Sequence, residues 1–136
     1  MNWMLASDLP SAVQIIMGIG CTVMGLSHVL QPRMWRDYFE ALQQQGEAGV
    51  LTRTMTWEFW PALIVVTGHR VWHGPGIVLT VFGFLLLAKC AISLWIPQLS
   101  LRSMAMSRRG PRAFVAGGLL LIGVGLSAFL TAFLGA

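Results

Sequence analysis

The stretch Ser11–Leu30, SAVQIIMGIGCTVMGLSHVL, decides the fold class. It contains no Asp, Glu, Lys or Arg. At about 1.5 Å of rise per residue, a helix of this length crosses roughly 30 Å of hydrocarbon. The stretches Met55–Trp72, Gly76–Ile96 and Ala113–Leu134 have similar length and character. The composition agrees. Of 136 residues, 56% are hydrophobic and 10% charged, whereas soluble domains carry about 25% charged residues. The mean hydropathy is +0.71. In lipid every backbone polar group needs an internal partner, so spanning segments of this length default to helices. The sequence therefore predicts an all-α polytopic membrane protein, one domain over residues 1–136 with four transmembrane helices. Met1–Pro10 holds Asp8 and no basic residue, so it lacks the positive region of a cleaved signal peptide and the first span is expected to be retained.

Basic residues set the expected orientation. Arg33, Arg36 and Arg53 lie between spans one and two, and Arg102, Arg108, Arg109 and Arg112 between spans three and four. Only Arg70 lies near the middle connector. The positive-inside rule places both basic loops in the cytoplasm and both termini outside. The net charge of +4 is thus read as topogenic, with attraction to anionic headgroups at the arginine loops and no nucleic-acid role. Trp3 and Trp72 fall at the expected outer interface, and Trp35, Trp57, Trp60 and Trp95 at or near the inner one. Such belts are usual at membrane–water boundaries.

The connectors carry structure of their own. After Pro32, Met34, Trp35, Tyr38, Phe39 and Leu42 recur at helical spacing. Residues 33–45 are expected to form a short amphipathic interfacial helix, opened by Pro32 and ended by Gly46. His73-Gly74-Pro75-Gly76 reads as a tight turn that makes spans two and three antiparallel neighbours. Pro97–Arg112 mixes Leu99, Leu101, Met104 and Met106 with arginines and is expected to lie along the lipid surface.

A few polar residues interrupt the spans: Gln14, His28, Glu58, His69 and Lys89. At 100° per residue, Gln14, Gly18, Cys21, Gly25 and His28 fall within about 80° of one another on span one. Their spacing is that of a helix-packing seam. Glu58, Pro61, Ala62, Val65, Gly68 and His69 share a face of span two. Because the two spans run in opposite directions, packing those faces together juxtaposes His28 with Glu58 and Gln14 with His69. Each pairing gives a polar group the partner that hydrocarbon withholds. Pro61 cannot donate to the Trp57 carbonyl and predicts a kink beside Glu58. Lys89 points away from the small-residue face of span three. It is expected to snorkel to headgroups, the alternatives being a contact with Glu58 or with another subunit. On span four, Gly123, Ser127 and Thr131 lead to Gly135 at four-residue intervals, a small-residue ladder for packing within the bundle or between copies.

Cys21 and Cys90 lie inside spans and are expected to be unpaired. No Cys/His spacing suggests zinc. No nucleophile–base set or phosphate loop is present, and no cofactor is predicted.

Three blocks resemble a family type. They are Gly25-Leu26-Ser27-His28 with Pro32, Trp35 and Phe39; His69 with Trp72, Gly74 and Pro75; and Thr80, Gly83, Lys89 and Pro97. Together they resemble small four-helix bacterial inner-membrane proteins of unknown function. The first block is also loosely similar to the DoxX-like proteins, which share a four-helix plan and a Gly-Leu-x-(Lys/His) ending on the first span. The resemblance implies a fold and an inner-membrane location. From the residues, the leading expectation is a non-enzymatic homo-oligomeric or accessory bundle, with a proton- or solute-linked pathway between spans one and two. The alternative is a membrane enzyme or redox partner acting on a quinone or lipid-like substrate. Gln14, His28, Glu58, His69 and Lys89 are either polar clasps or parts of a pathway.

Overall fold

The computed structural model describes residues 8–106 and 110–134; Trp3, Arg108, Arg109 and Gly135, named above, lie outside the described residues. The order is α1 (Leu9–Leu30), α2 (Pro32–Gln44), α3 (Glu47–Arg53), a π-helical turn (Thr54–Glu58), α4 (Phe59–Gly68), a 3-10 turn (Gly74–Gly76), α5 (Ile77–Trp95), α6 (Pro97–Met106) and α7 (Arg112–Leu134). No strand occurs among the described residues. Among the described residues, three helical stretches are long and apolar enough to cross a membrane: Leu9–Leu30, Gly74–Trp95 and Arg112–Leu134. The exposed sides are themselves apolar, as with Ile16, Ile19, Val23, Leu26 and Leu30 on α1. A soluble protein rarely leaves so continuous an apolar stripe in water.

Span two differs from its expected form. Helix begins at Glu47, well before Met55, and ends at Gly68 rather than Trp72. In between, the Phe59 N–H bonds to the Thr54 carbonyl, an i→i+5 link that adds one residue to the turn. Pro61 explains the placement, since its ring and missing N–H disrupt the α-helical bond to the turn before it. The kink expected beside Glu58 is therefore a π turn.

Prolines set the other breaks. Gln31 and Ile96, each preceding a proline, leave helical geometry (φ −128°, ψ 55° and φ −133°, ψ 73°), because the proline ring disfavours the α region at the residue before it. Each proline then opens a new helix, where its lost N–H has no intrahelical partner to miss. Asp8 caps α1 by accepting from the Ser11 N–H at 2.9 Å.

Where an interfacial helix is expected, helix α2 packs its apolar face on protein. Leu42 is buried with Val50 of α3 and Met104 of α6, and Tyr38, Phe39 and Leu101 flank them. The stretch Pro97–Arg112, expected along lipid, contributes helix α6 to this cluster. Gly46, at φ +64°, turns the chain between α2 and α3. The tight turn expected at His73–Gly76 is an extended segment through His69–His73 followed by the 3-10 turn, with Gly74 at φ +60°.

In the bundle, α1 packs chiefly on α7 and α4 chiefly on α5. The seam on α1 faces protein, as its spacing requires, but Gly18 and Gly25 face α7 rather than α4. A Cβ on Gly25 would stand 2.6 Å from the Gly118 carbonyl oxygen, and one on Gly125 would stand 2.4 Å from Thr22 Oγ1. Two glycines seven apart on each helix thus let the backbones touch. The expected ladder on α7 does not form this contact. Gly123 is exposed with open space around it, while Thr131 is buried. Ser127 is half-buried and its hydroxyl has no hydrogen-bond partner among the described residues. Gly118 and Gly125 occupy the packing face instead. Cys21 sits in the main core with Val13, Met17, Val65, Leu79, Val124 and Ala128, and Cys90 is buried and unpaired.

Candidate functional site

The polar residues gather at opposite ends of the bundle. At the Gly68 end, α4 stops and the chain runs extended, which carries His69 fully inside. Gln14 Nε2 lies 2.9 Å from His69 Nε2. An amide nitrogen only donates, so this ring nitrogen accepts and Nδ1 holds the proton. Nδ1 donates to Thr80 Oγ1 at 3.0 Å, and the Thr80 hydroxyl donates to the Val71 carbonyl at 2.8 Å. The Val71 N–H in turn donates to Thr80 Oγ1 at 3.2 Å. One threonine on α5 therefore anchors a non-helical segment whose backbone would otherwise be unsatisfied. The pairing of Gln14 with His69, expected from matched depth, is present.

His28 and Glu58, the other expected pair, do not meet. His28 Nδ1 donates to the Met24 carbonyl at 2.7 Å, and the ring stacks on Trp35 with centroids 4.1 Å apart. Trp35 is itself held by an indole N–H bond to Ser27 Oγ at 2.8 Å. The aromatic face of α2 swings under the end of α1 and takes the place the sequence assigned to Glu58. Phe114 of α7 lies beyond, 6.2 Å from His28.

Glu58 instead joins two cations. Arg53 Nε lies 3.2 Å from Glu58 Oε1 and Lys89 Nζ 3.0 Å from the same oxygen. For Lys89 this is the contact with Glu58 that stood as an alternative to snorkelling. Arg53, read from sequence as a loop charge, is 3% exposed. Its Nη2 donates to Ser93 and Ser100, which bridge α5 and α6. Sequence reasoning missed Arg53, Ser93, Ser100 and Thr80. In an unbroken α-helix Arg53 and Glu58 would stand about 140° apart. The π turn, closing at five residues, brings them to one face, and π turns recur at functional sites.

Between the two polar clusters lies a cavity of about 990 Å³. Its back wall is Met17, Cys21, Phe82 and Leu121. Its open side runs between α1 and α4, past Ile16, Gly20, Trp60 and Ile64, all exposed. Arg53, Glu58 and Lys89 stand at one end, beside His28, Trp35, Trp57 and Phe114. From Ile16 to His28 the cavity follows α1 for about 18 Å. Gly20 and Gly117 also line it, and a Cβ on either would meet nothing within 4 Å. Glu58 Oε2 is buried away from the cavity and has no hydrogen-bond partner among the described residues. Compared with protein-family models, curated proteins and solved structures, the chain gives no match.

Proposed function

We propose that this is a small membrane-embedded binding protein for an amphiphilic, lipid-like molecule that enters sideways from the bilayer between α1 and α4. The observation that carries the reading is the polarity gradient of the cavity. Charged groups cluster at one end of the bundle, and an apolar channel leads toward its middle. A lipid in one leaflet has the same gradient, with its polar end at the interface and its chain toward the midplane. The volume is at the upper end of the range of about 300–1,000 Å³ usual for ligand pockets. In this reading the segment Glu47–Gly68, π turn included, serves as a fourth crossing, and α2 rests at the interface. The termini share one side, outside by the arginine distribution, and the membrane is a bacterial inner membrane, as the DoxX-like resemblance suggests. Reporter fusions at the two ends and at α6 test this topology. Opposite sides for the two ends would refute it.

Gly20→Phe and Gly117→Phe test the binding reading directly. Each adds a ring to open space, so the fold should survive while the cavity fills. Native mass spectrometry of the detergent-extracted protein should find a bound amphiphile on the wild type and none on either variant. Equal retention by all three would overturn the proposal.

A second reading is a proton- or solute-linked pathway along the same face, favoured by the charged cluster within the cavity. The contact of Gln14 with His69, with Gly68 packed against Val13 and Leu9, closes that face at the other end, so the binding reading is preferred. Loss of proton-coupled flux in liposomes by a normally assembled Glu58→Gln protein would favour the pathway.

A further inference from the structure

Resting on the binding reading above, we infer that the ligand's headgroup is a phosphodiester with a single negative charge. The first argument is charge. Arg53 and Lys89 against Glu58 leave the polar end of the cavity with one net positive charge. A headgroup with a single negative charge neutralises it, whereas a neutral quinone or a zwitterion leaves it standing in a medium of low dielectric. The second argument is the geometry of Lys89. Its side chain is 52% exposed and lines the cavity. An ammonium has three donors, so after the bond to Glu58 it retains capacity for an anionic oxygen. Arg53 is a positioning residue. Its hold on Ser93, Ser100 and Glu58 fixes where the carboxylate points.

Lys89 Nζ stands 3.0 Å from Glu58 Oε1, so the carboxylate holds the ammonium at the end of the cavity where a phosphodiester oxygen accepts from it. The acyl chain then follows the apolar wall past Phe82 and Leu121 to the opening at Ile16 and Ile64.

The test uses the full chain, delipidated in detergent and incubated with equimolar dioleoyl-phosphatidylglycerol, -phosphatidylmethanol, -phosphatidylethanolamine and -phosphatidylcholine, and read by native mass spectrometry. The wild type should retain phosphatidylglycerol on the order of tenfold over phosphatidylcholine, the scale of one charge-assisted bond. It should retain phosphatidylmethanol, an equal anion without the hydroxyl, as well as phosphatidylglycerol. Lys89→Met should abolish the preference for anions and Lys89→Arg should keep it. Gly20→Phe should remove every lipid. Wild-type retention of all four lipids alike, with Gly20→Phe losing them, would overturn the headgroup assignment and leave the binding reading intact. So would a copurifying neutral quinone. Retention of phosphatidylglycerol without phosphatidylmethanol would overturn recognition by charge. No effect of Gly20→Phe, or a lipid-free dimer, would overturn the binding reading itself.

Discussion

Replacing Glu58 with leucine should cost far more stability than replacing either cation that touches it, and the order of the three costs follows from burial. Without Glu58, Arg53 stays 3% exposed with two serine hydroxyls and no counter-charge. Breaking a buried pair in this way costs about 3–5 kcal/mol. Arg53→Met is milder, at about 2–3 kcal/mol, because Lys89 still neutralises the carboxylate while the bonds from Arg53 are lost. Lys89→Met should cost about 1 kcal/mol or less, since its side chain is 52% exposed and Arg53 remains on Glu58. The double variant Arg53→Met/Glu58→Leu removes both buried charges, so it should fall short of the sum of the singles by about 0.5–3 kcal/mol. Reversible unfolding in mixed micelles, titrated with SDS and followed by tryptophan fluorescence, gives these free energies. A cost of about 4 kcal/mol for Glu58→Leu is nearly a thousandfold in the folded ratio. A Lys89→Met protein as unstable as Glu58→Leu, or an additive double variant, would refute the asymmetric cluster.

The remaining predictions concern other parts of the fold. Gln14→Leu should cost about 0.6–2 kcal/mol by orphaning His69 Nε2, and Thr80→Val more, since it also releases Val71; the same SDS titration ranks them. Gly25→Ala should cost about 1–3 kcal/mol because its Cβ meets backbone of α7, whereas Gly123→Ala should be neutral or slightly stabilising; equal effects would misplace the α1–α7 contact. The Ser11 hydrogen bonds hold the Asp8 carboxyl below its ordinary value of 3.8. A lowered folded value means that the cap's stabilisation is full above the unfolded pKa and is lost as pH falls through the folded one. Asp8→Ala should therefore lower the melting temperature at pH 7 and leave it unchanged at pH 2, and a difference that persists in acid would contradict the cap.

Much of the architecture was legible in the chain because it depends on local properties. The apolar lengths define the helices, and prolines at 32 and 97 mark the breaks. The seam on α1 was legible too, since azimuth along one unbroken helix is simple periodicity. Gln14 and His69 could be matched because both lie where depth alone decides the neighbour. The α1–α7 contact had a faint signal, the seven-residue spacing of Gly18 with Gly25 and of Gly118 with Gly125. The four-residue ladder through Gly123 masked it.

The charged cluster was not legible, and the reason is physical. A π turn adds one residue and resets the phase of every position after it, so Arg53 and Glu58 share a face that 100° per residue denies them. Lys89 reaches Glu58 only because α5 packs on α4, a choice among helices that no single-helix pattern contains. Trp35 displaced Glu58 from His28 because α2 folds back under α1. Sequence by itself determined an all-helical, bilayer-compatible chain and a short inventory of polar groups. Only the tertiary structure decided which of those groups meet, because partners across a bundle depend on helix phase and neighbour choice, and both are settled by packing.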